Sequence, residues 1–205
     1  MGPVVVVVQH GEKVRAAGDP GLTSEGERQA ATTAGWLVEN CPTVAAIVAS
    51  PLRRAQETAR PIAAAFGLGV ATDARLRERM NWDDDTRLSQ DDFLREWQRA
   101  TSDRSYQPIV GDSSLDAADR FIAALADLDH GGDGVVVVVT HGGVTVDALR
   151  TIAGDKTVLE ANPTLIADGV PSCAITQLAI SNGAINVVHF PSTRHLTDTT
   201  RHRPA

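Results

Sequence analysis

Two stretches of the chain run five valines into a polar residue, a histidine and a glycine. Residues 4–8 lead into Gln9-His10-Gly11-Glu12, and residues 135–139 lead into Thr140-His141-Gly142-Gly143. An uninterrupted β-branched run has no polar face, so each predicts a strand covered on both sides, as in the middle of a parallel sheet. A glycine just past the run lets the backbone turn sharply. Both histidines then stand at carboxyl ends of central strands, where open α/β sheets hold their ligands. One such histidine is ordinarily a hydrogen-bonded strand end. A matched pair points to chemistry across one pocket.

The remaining pattern alternates helix and strand. Residues 13–21 are rich in Gly, Pro and charge and read as loop. Thr23 or Ser24 caps a helix reaching Asn40, with Glu25 and Glu27 at its positive end and a stripe of Ala30, Ala31, Ala34, Leu37 and Val38. Residues 44–49 form a second strand. Ser50-Pro51-Leu52 opens a helix through Phe66, closed by Gly67, and residues 70–76 are extended. Residues 77–116 are more polar and hold Trp82, Trp97 and the only tyrosine, Tyr106. Phe93, Leu94, Trp97 and Ala100 mark an amphipathic helix there, so this excursion reads as a cap over the pocket or as a plain surface hairpin of helices. Helices follow over 115–128 and 144–152, then a loop over 163–169. Residues 173–180 and 184–190 read as a hairpin with a tight turn at Ser181-Asn182-Gly183, and 192–205 as a loosely ordered polar tail. The predicted fold is α/β: a three-layer α/β/α sandwich with a mainly parallel, partly mixed central sheet.

Composition narrows the functional classes. The 205 residues are enough for one domain, and 42% hydrophobic with 22% charged residues is a globular balance. A net charge of −7 argues against nucleic acid as a partner but leaves room for a small anion at a local cationic cluster. Cys41 and Cys173 have no CxxC spacing and read as core residues of a reducing compartment. No basic leader and no membrane-length apolar run is seen, so a soluble cytoplasmic protein is expected. A homodimer through a sheet edge or the cap is compatible with the sequence.

Five motifs in order resemble the histidine phosphatase superfamily, the phosphoglycerate mutase-like family, from Val4 to about Phe190. They are Gln9-His10-Gly11-Glu12; Leu22-Thr23-Ser24-Glu25-Gly26; Ser50-Pro51-Leu52-Arg53-Arg54-Ala55-Gln56-Glu57-Thr58-Ala59; Leu76-Arg77-Glu78; and Thr140-His141-Gly142-Gly143. Gly111-Asp112-Ser113-Ser114, with Arg120 beyond, resembles the family's Gly-Glu-Ser motif with Asp for Glu. The resemblance implies a single histidine-phosphatase-like domain over 1–191 with a cap-like insertion at about 77–116.

It also implies roles. His10 is the expected nucleophile, forming a phosphohistidine, with His141 donating to the phosphoryl oxygens. Arg54 would hold the phosphoryl group in a charged fork. Glu78 would protonate the leaving oxygen and then deprotonate the attacking water. Gly142 could add a backbone donor, and no metal or other cofactor is expected. Read without the motif, Arg54 beside Arg53 is a solvated helix charge, and Glu78 among Arg75, Arg77 and Arg79 is a surface ion pair.

The departure is Gln9, which stands where the family has arginine. Glutamine keeps hydrogen-bond donors and loses the charge. Three readings follow: a slower phosphatase, a site in which Lys13 or Arg79 replaces the charge, or a pocket retuned for a less charged group. The expected function is therefore a metal-independent phosphatase acting on a small organic phosphate. The alternatives are a weakened relative that binds a phosphorylated ligand or partner protein and, behind it, a mutase, for which the cap supplies Arg87, Arg95, Arg99 and Arg104 without an alignable motif. Trp82 and Tyr106 would suit a ring-bearing substrate if they line the pocket, and otherwise pack the cap. Asp83, Asp84 and Asp85 read as a solvated loop.

Overall fold

The structure, a computed structural model, describes residues 4–41, 43–82, 88–128, 134–181 and 183–197. The two valine runs form the neighbouring strands β1 (Val4–Gln9) and β4 (Val135–Thr140), parallel and in register from Val4↔Val135 to Gln9↔Thr140. Alternate valines serve opposite layers, because successive strand residues point to opposite faces. Val5, Val7, Val136 and Val138 pack with Phe121, Leu125 and Leu149, whereas Val6, Val8, Val137 and Val139 pack with Leu37, Ala59 and Ile62. Burying one such side chain contributes about 1.5–3 kcal/mol over leaving it in water. That is why neither run tolerates a polar interruption.

The first layer comes from α4 (Ser114–Ala126) and α5 (Gly142–Ala153), the second from α1 (Ser24–Asn40) and α2 (Arg53–Phe66). The sheet continues through β2 (Val44–Ala49) to β3 (Val70–Thr72) on one side, and through β5 (Ile175–Ser181) to β6 (Ala184–Ser192) on the other. The order is β3-β2-β4-β1-β5-β6, with β5 and β6 antiparallel to their neighbours. This is the expected three-layer sandwich with a mainly parallel, partly mixed sheet. Among the described residues, no helix is long and apolar enough to cross a membrane.

Local signals placed most boundaries. The Thr23 hydroxyl accepts from the N–H of Gly26 and caps α1, and Gly67 closes α2 in the left-handed conformation at φ 65°. In the 77–116 excursion, α3 (Gln90–Ser102) starts at Ser89, which accepts from the Asp92 N–H. A small core of Met80, Ala100 and Val110, with Leu88, Phe93, Trp97 and Tyr106 around it, holds this excursion together.

Some expectations need correction. Within the stretch read as loop over 163–169, α7 (Leu165–Asp168) forms, anchored by buried Leu165 and ended by Gly169 at φ 78°. A further helix, α6 (Asp155–Ala161), precedes it. The chain after 191 is not loose throughout. β6 extends to Ser192, and α8 (Arg194–Thr197) docks on α1 through buried His195, whose Nε2 lies 2.9 Å from the Thr33 hydroxyl. The rest of the tail, Asn182 of the hairpin turn, and Asp83, Asp84, Asp85 and Arg87 lie outside the described residues.

Candidate active site

Because Gln9 pairs with Thr140, the next residue of each strand, His10 and His141, emerges at the same sheet edge. Their rings lie 5.2 Å apart, edge to face. The backbone around His10 is held by close packing. A Cβ on Gly11 would stand 2.5 Å from the Gly26 carbonyl oxygen, and one on Gly26 would overlap the Glu12 backbone. The start of α1 therefore presses directly on the histidine loop. From below, the N–H of Cys173 donates to the His10 carbonyl at 3.2 Å, and Cys173 adopts φ 54° to do so. A left-handed non-glycine residue costs about 1–2 kcal/mol, so this turn is sustained by its surroundings.

His10 is presented as a neutral base. Its Nδ1 donates to the Gly11 carbonyl at 2.7 Å, which leaves the Nε2 lone pair to accept from Arg54 Nε at 3.2 Å. Burial, and then the Arg54 charge, lower its pKa to about 3. His141 is fully buried, and its Nε2 lies 2.7 Å from the Ser50 hydroxyl, while Nδ1 finds no hydrogen-bond partner among the described residues. Burial, then Arg54 and His10, push its pKa well below the usual histidine range.

Arg54 is buried at the start of α2, whereas Arg53 turns outward to Glu57. The plain solvated-charge reading thus belongs to Arg53. Arg54 also reaches Asn81 Oδ1 at 3.3 Å and Asp19 at 3.7 Å. Thr58, one turn on, takes the N–H of Gly11 on its hydroxyl at 2.9 Å and so ties α2 to the histidine loop.

Among the described residues, Glu78 makes no surface ion pair. Its three arginine neighbours are engaged elsewhere: Arg75 with Asp73 and Asp127, Arg77 with Asp112, and Arg79 with Asp147. Its carboxylate instead accepts from the N–H groups of Gly143 and Val144, at 3.0 and 2.8 Å, in the first turn of α5. Arg120 clamps the segment by donating to the carbonyls of Arg77 and Glu78, and Asp112 holds Arg120 in turn at 2.8 Å. The Gly-Asp-Ser-Ser stretch thus acts on the acid's position.

Gly143 is required for a steric reason. A Cβ there would lie 2.5 Å from the Trp97 ring and 2.6 Å from Glu78 Oε1. We expect Gly143→Ala to fold, because alanine suits a helix, but to push Glu78 off α5 and lower kcat on the order of tenfold or more. A kcat equal to wild type would show that Glu78 needs no such seat.

His10, Lys13, Arg54 and Glu78 line one cavity of about 700 Å³. Gln9, His141 and Gly142 adjoin them without lining it. The Gln9 Nε2 lies 3.5 Å from where a Cβ on Gly142 would stand, and its Oε1 is buried with no partner among the described residues. Of the two cations considered as substitutes for the missing charge, only Lys13 faces the cavity, and burial followed by Arg54 and Arg15 lowers its pKa. Arg79 is excluded, being buried against Asp147 at 3.0 Å and stacked 4.1 Å over the Trp97 ring. Trp82 lines the cavity, but Tyr106 does not, its hydroxyl being held by Glu96. Sequence reasoning missed Asn81 and Arg15, which carry no motif, and Ser50 and Thr58, which lay unremarked inside one. Among the described residues, no group of three or more His, Cys, Asp or Glu side chains is placed to hold a metal ion.

The constellation can receive a tetrahedral anion: a neutral imidazole nitrogen, a buried guanidinium, an ammonium and a carboxylate share one cavity. Known proteins resemble the chain over most of its length. A glucosyl-3-phosphoglycerate phosphatase from Mycolicibacterium vanbaalenii is 31% identical over 168 residues, spanning 73% of this chain and 74% of the relative. An uncharacterized protein of Mycobacterium tuberculosis is 36% identical over 149 residues, 67% of this chain and 72% of its own length. The solved structure of a mycobacterial glucosyl-3-phosphoglycerate phosphatase with inorganic phosphate superposes with a TM-score of 0.70 at 25% identity, covering 94% of this chain and 99% of that one. The sequence profile of the histidine phosphatase superfamily (branch 1) matches residues 5–194, and the chain belongs to that family.

Proposed function

We propose that the protein is a metal-independent phosphatase that hydrolyses a phosphomonoester through a phosphohistidine on His10. The observation that carries this reading is the tautomer of His10, whose Nε2 lone pair stands beside buried Arg54 on the cavity that Glu78 also lines. In the first step Nε2 bonds to phosphorus and the P–O ester bond breaks, with Glu78 giving the leaving oxygen its proton. In the second, Glu78 takes a proton from water, the oxygen bonds to phosphorus, and the P–N bond breaks to restore neutral His10. Arg54 and Lys13, which line the cavity, stabilise the charge on the phosphoryl oxygens, and His141 and Gln9, which adjoin it, add uncharged donors. The Ser50 hydroxyl, donating to His141 Nε2, keeps the proton of that ring on Nδ1. Buried Cys41 and Cys173, both thiols, go with action in the cytoplasm.

The test is hydrolysis of p-nitrophenyl phosphate with a chelator present. Turnover that withstands chelation is expected. Its absence would leave the alternative, a relative that binds a phosphorylated ligand and has lost rate with the missing charge at Gln9.

Two variants divide the mechanism. Glu78→Gln should slow the phosphoryl-transfer step from alkyl phosphates on the order of 10²–10³-fold, measured before steady state, while sparing the burst of phenol released from esters of acidic phenols, which need no proton on leaving. A uniform loss across both would remove Glu78 from the acid role. Gln9→Arg should raise turnover on the order of tenfold or more by restoring a donor charge. A loss instead would mean that the pocket is built around glutamine.

A further inference from the structure

The cavity has two unlike sides. Its cations come from the sheet side, with Lys13 and Arg15 on the β1–α1 loop and Arg54 on α2. The cap side presents Met80, Trp82, Phe93, Leu94 and Trp97, with Asn81 and Gln90 as its neutral polar groups. Each described arginine of the cap is turned away from the cavity. Arg77 is paired with Asp112, Arg79 with Asp147 and Arg95 with Asp92, Arg99 lies over the Tyr106 ring, and Arg104 donates to Ser114 and the Asp147 carbonyl. Apart from Glu78, whose carboxylate is seated on α5, the described residues of this wall are uncharged. It also keeps apolar surface in water: Leu94 is 47% exposed at the cavity. Leaving a leucine half exposed on a concave wall forgoes burial that a ligand can supply.

We propose that the substrate carries a single phosphate on an uncharged, largely apolar body of at least aromatic-ring size, which lies against Phe93, Leu94 and Trp97 of the cap. This rests on the phosphatase reading and narrows it. A carboxylate or second phosphate on the leaving group would meet no described cation on the cap side. The volume points the same way. About 700 Å³ is the size of site that encloses drug-sized ligands and far exceeds a three-carbon phosphate. The same wall disfavours a mutase, which must grip a second anion while the phosphoryl group shuttles.

The experiment compares three alkyl phosphates whose alcohols leave with similar difficulty: 2-phenylethyl phosphate, glycerol 3-phosphate and 3-phosphoglycerate. p-Nitrophenyl phosphate is run beside them as a measure of phosphatase activity alone. The expected result is a kcat/KM for 2-phenylethyl phosphate about tenfold or more above the other two, carried mainly by KM. Leu94→Gln should shrink that preference severalfold, and Leu94→Arg should shift it towards 3-phosphoglycerate by placing a cation on the wall. Leu94 is exposed, so neither change removes core packing. Equal or better use of 3-phosphoglycerate by the wild type, with p-nitrophenyl phosphate still hydrolysed, would overturn the substrate class and leave the phosphatase reading standing. Failure to hydrolyse any of the four would overturn both.

Discussion

His10→Ala should abolish phosphatase turnover, lowering kcat on the order of 10⁴-fold or more. Removing the proposed nucleophile leaves only charge stabilisation and binding, and comparable deletions of a covalent nucleophile have effects of that order or larger. The residue is buried and its ring is oriented by Gly11 and Arg54, so no other described side chain occupies its place. Equal turnover in the two proteins would assign the activity to a contaminant. The same histidine sets a pH dependence of stability. Its pKa is about 3 in the fold against about 6.5 in an unfolded chain, and His195, buried on Thr33, is held at about 4. Below about pH 6.5 the unfolded chain binds protons that the native protein refuses. Stability is therefore complete above that value and is lost as pH falls towards about 3, by about 4–5 kcal/mol from His10 alone at the limit. Urea midpoints measured from neutral to acid pH should fall for the wild type and fall less for His10→Ala. A flat profile would mean that these histidines are not buried neutral.

Asp147→Ala is expected to cost about 3–5 kcal/mol, the largest stability loss among single changes near the site. The Arg79 guanidinium lies 3.0 and 3.1 Å from the two Asp147 oxygens, both side chains are almost wholly enclosed, and Ser114 donates to the carboxylate at 2.6 Å. Deleting the acid leaves a buried, uncompensated cation. Burial pushes the Asp147 carboxyl up to about 6 against the pull of Arg79, so the pair is costly to enclose even when intact. Between about pH 4 and 6 this group alone favours folding as pH falls, opposing the histidines. The double change Arg79→Met with Asp147→Leu removes both charges and should recover most of the loss. If it recovered nothing, lost packing rather than a stranded charge would explain the single variant. The consequence extends to the proposed mechanism because Arg79 also donates its backbone N–H to Glu78 at 2.8 Å and stacks on Trp97, linking the Glu78 segment to α3.

Much of the fold was legible because its signals are local. A run of five valines can be read as a doubly covered strand from its own residues, and Thr23 and Gly67 mark helix ends through bonds within a turn of themselves. The misses fall where stability is borrowed. The four-residue α7 depends on buried Leu165, and α8 depends on His195 meeting Thr33 across the chain. Neither contact leaves a periodic trace in so short a segment.

The site divides the same way. By itself the sequence determined that two histidines end two central strands and that Arg54, Glu78 and the glycines around them follow a family order, because strand burial and motif spacing are properties of contiguous residues. Only the tertiary structure decided that Gln9 pairs with Thr140, bringing those histidines within 5.2 Å. It also decided which charges act in the cavity. Lys13 and Arg79 look alike as cations in the sequence, yet one lines the cavity and the other is enclosed with Asp147. A side chain's charge is set by its chemistry. Whether that charge faces a ligand or a buried partner depends on strand register and on which groups from distant elements share its low-dielectric surroundings.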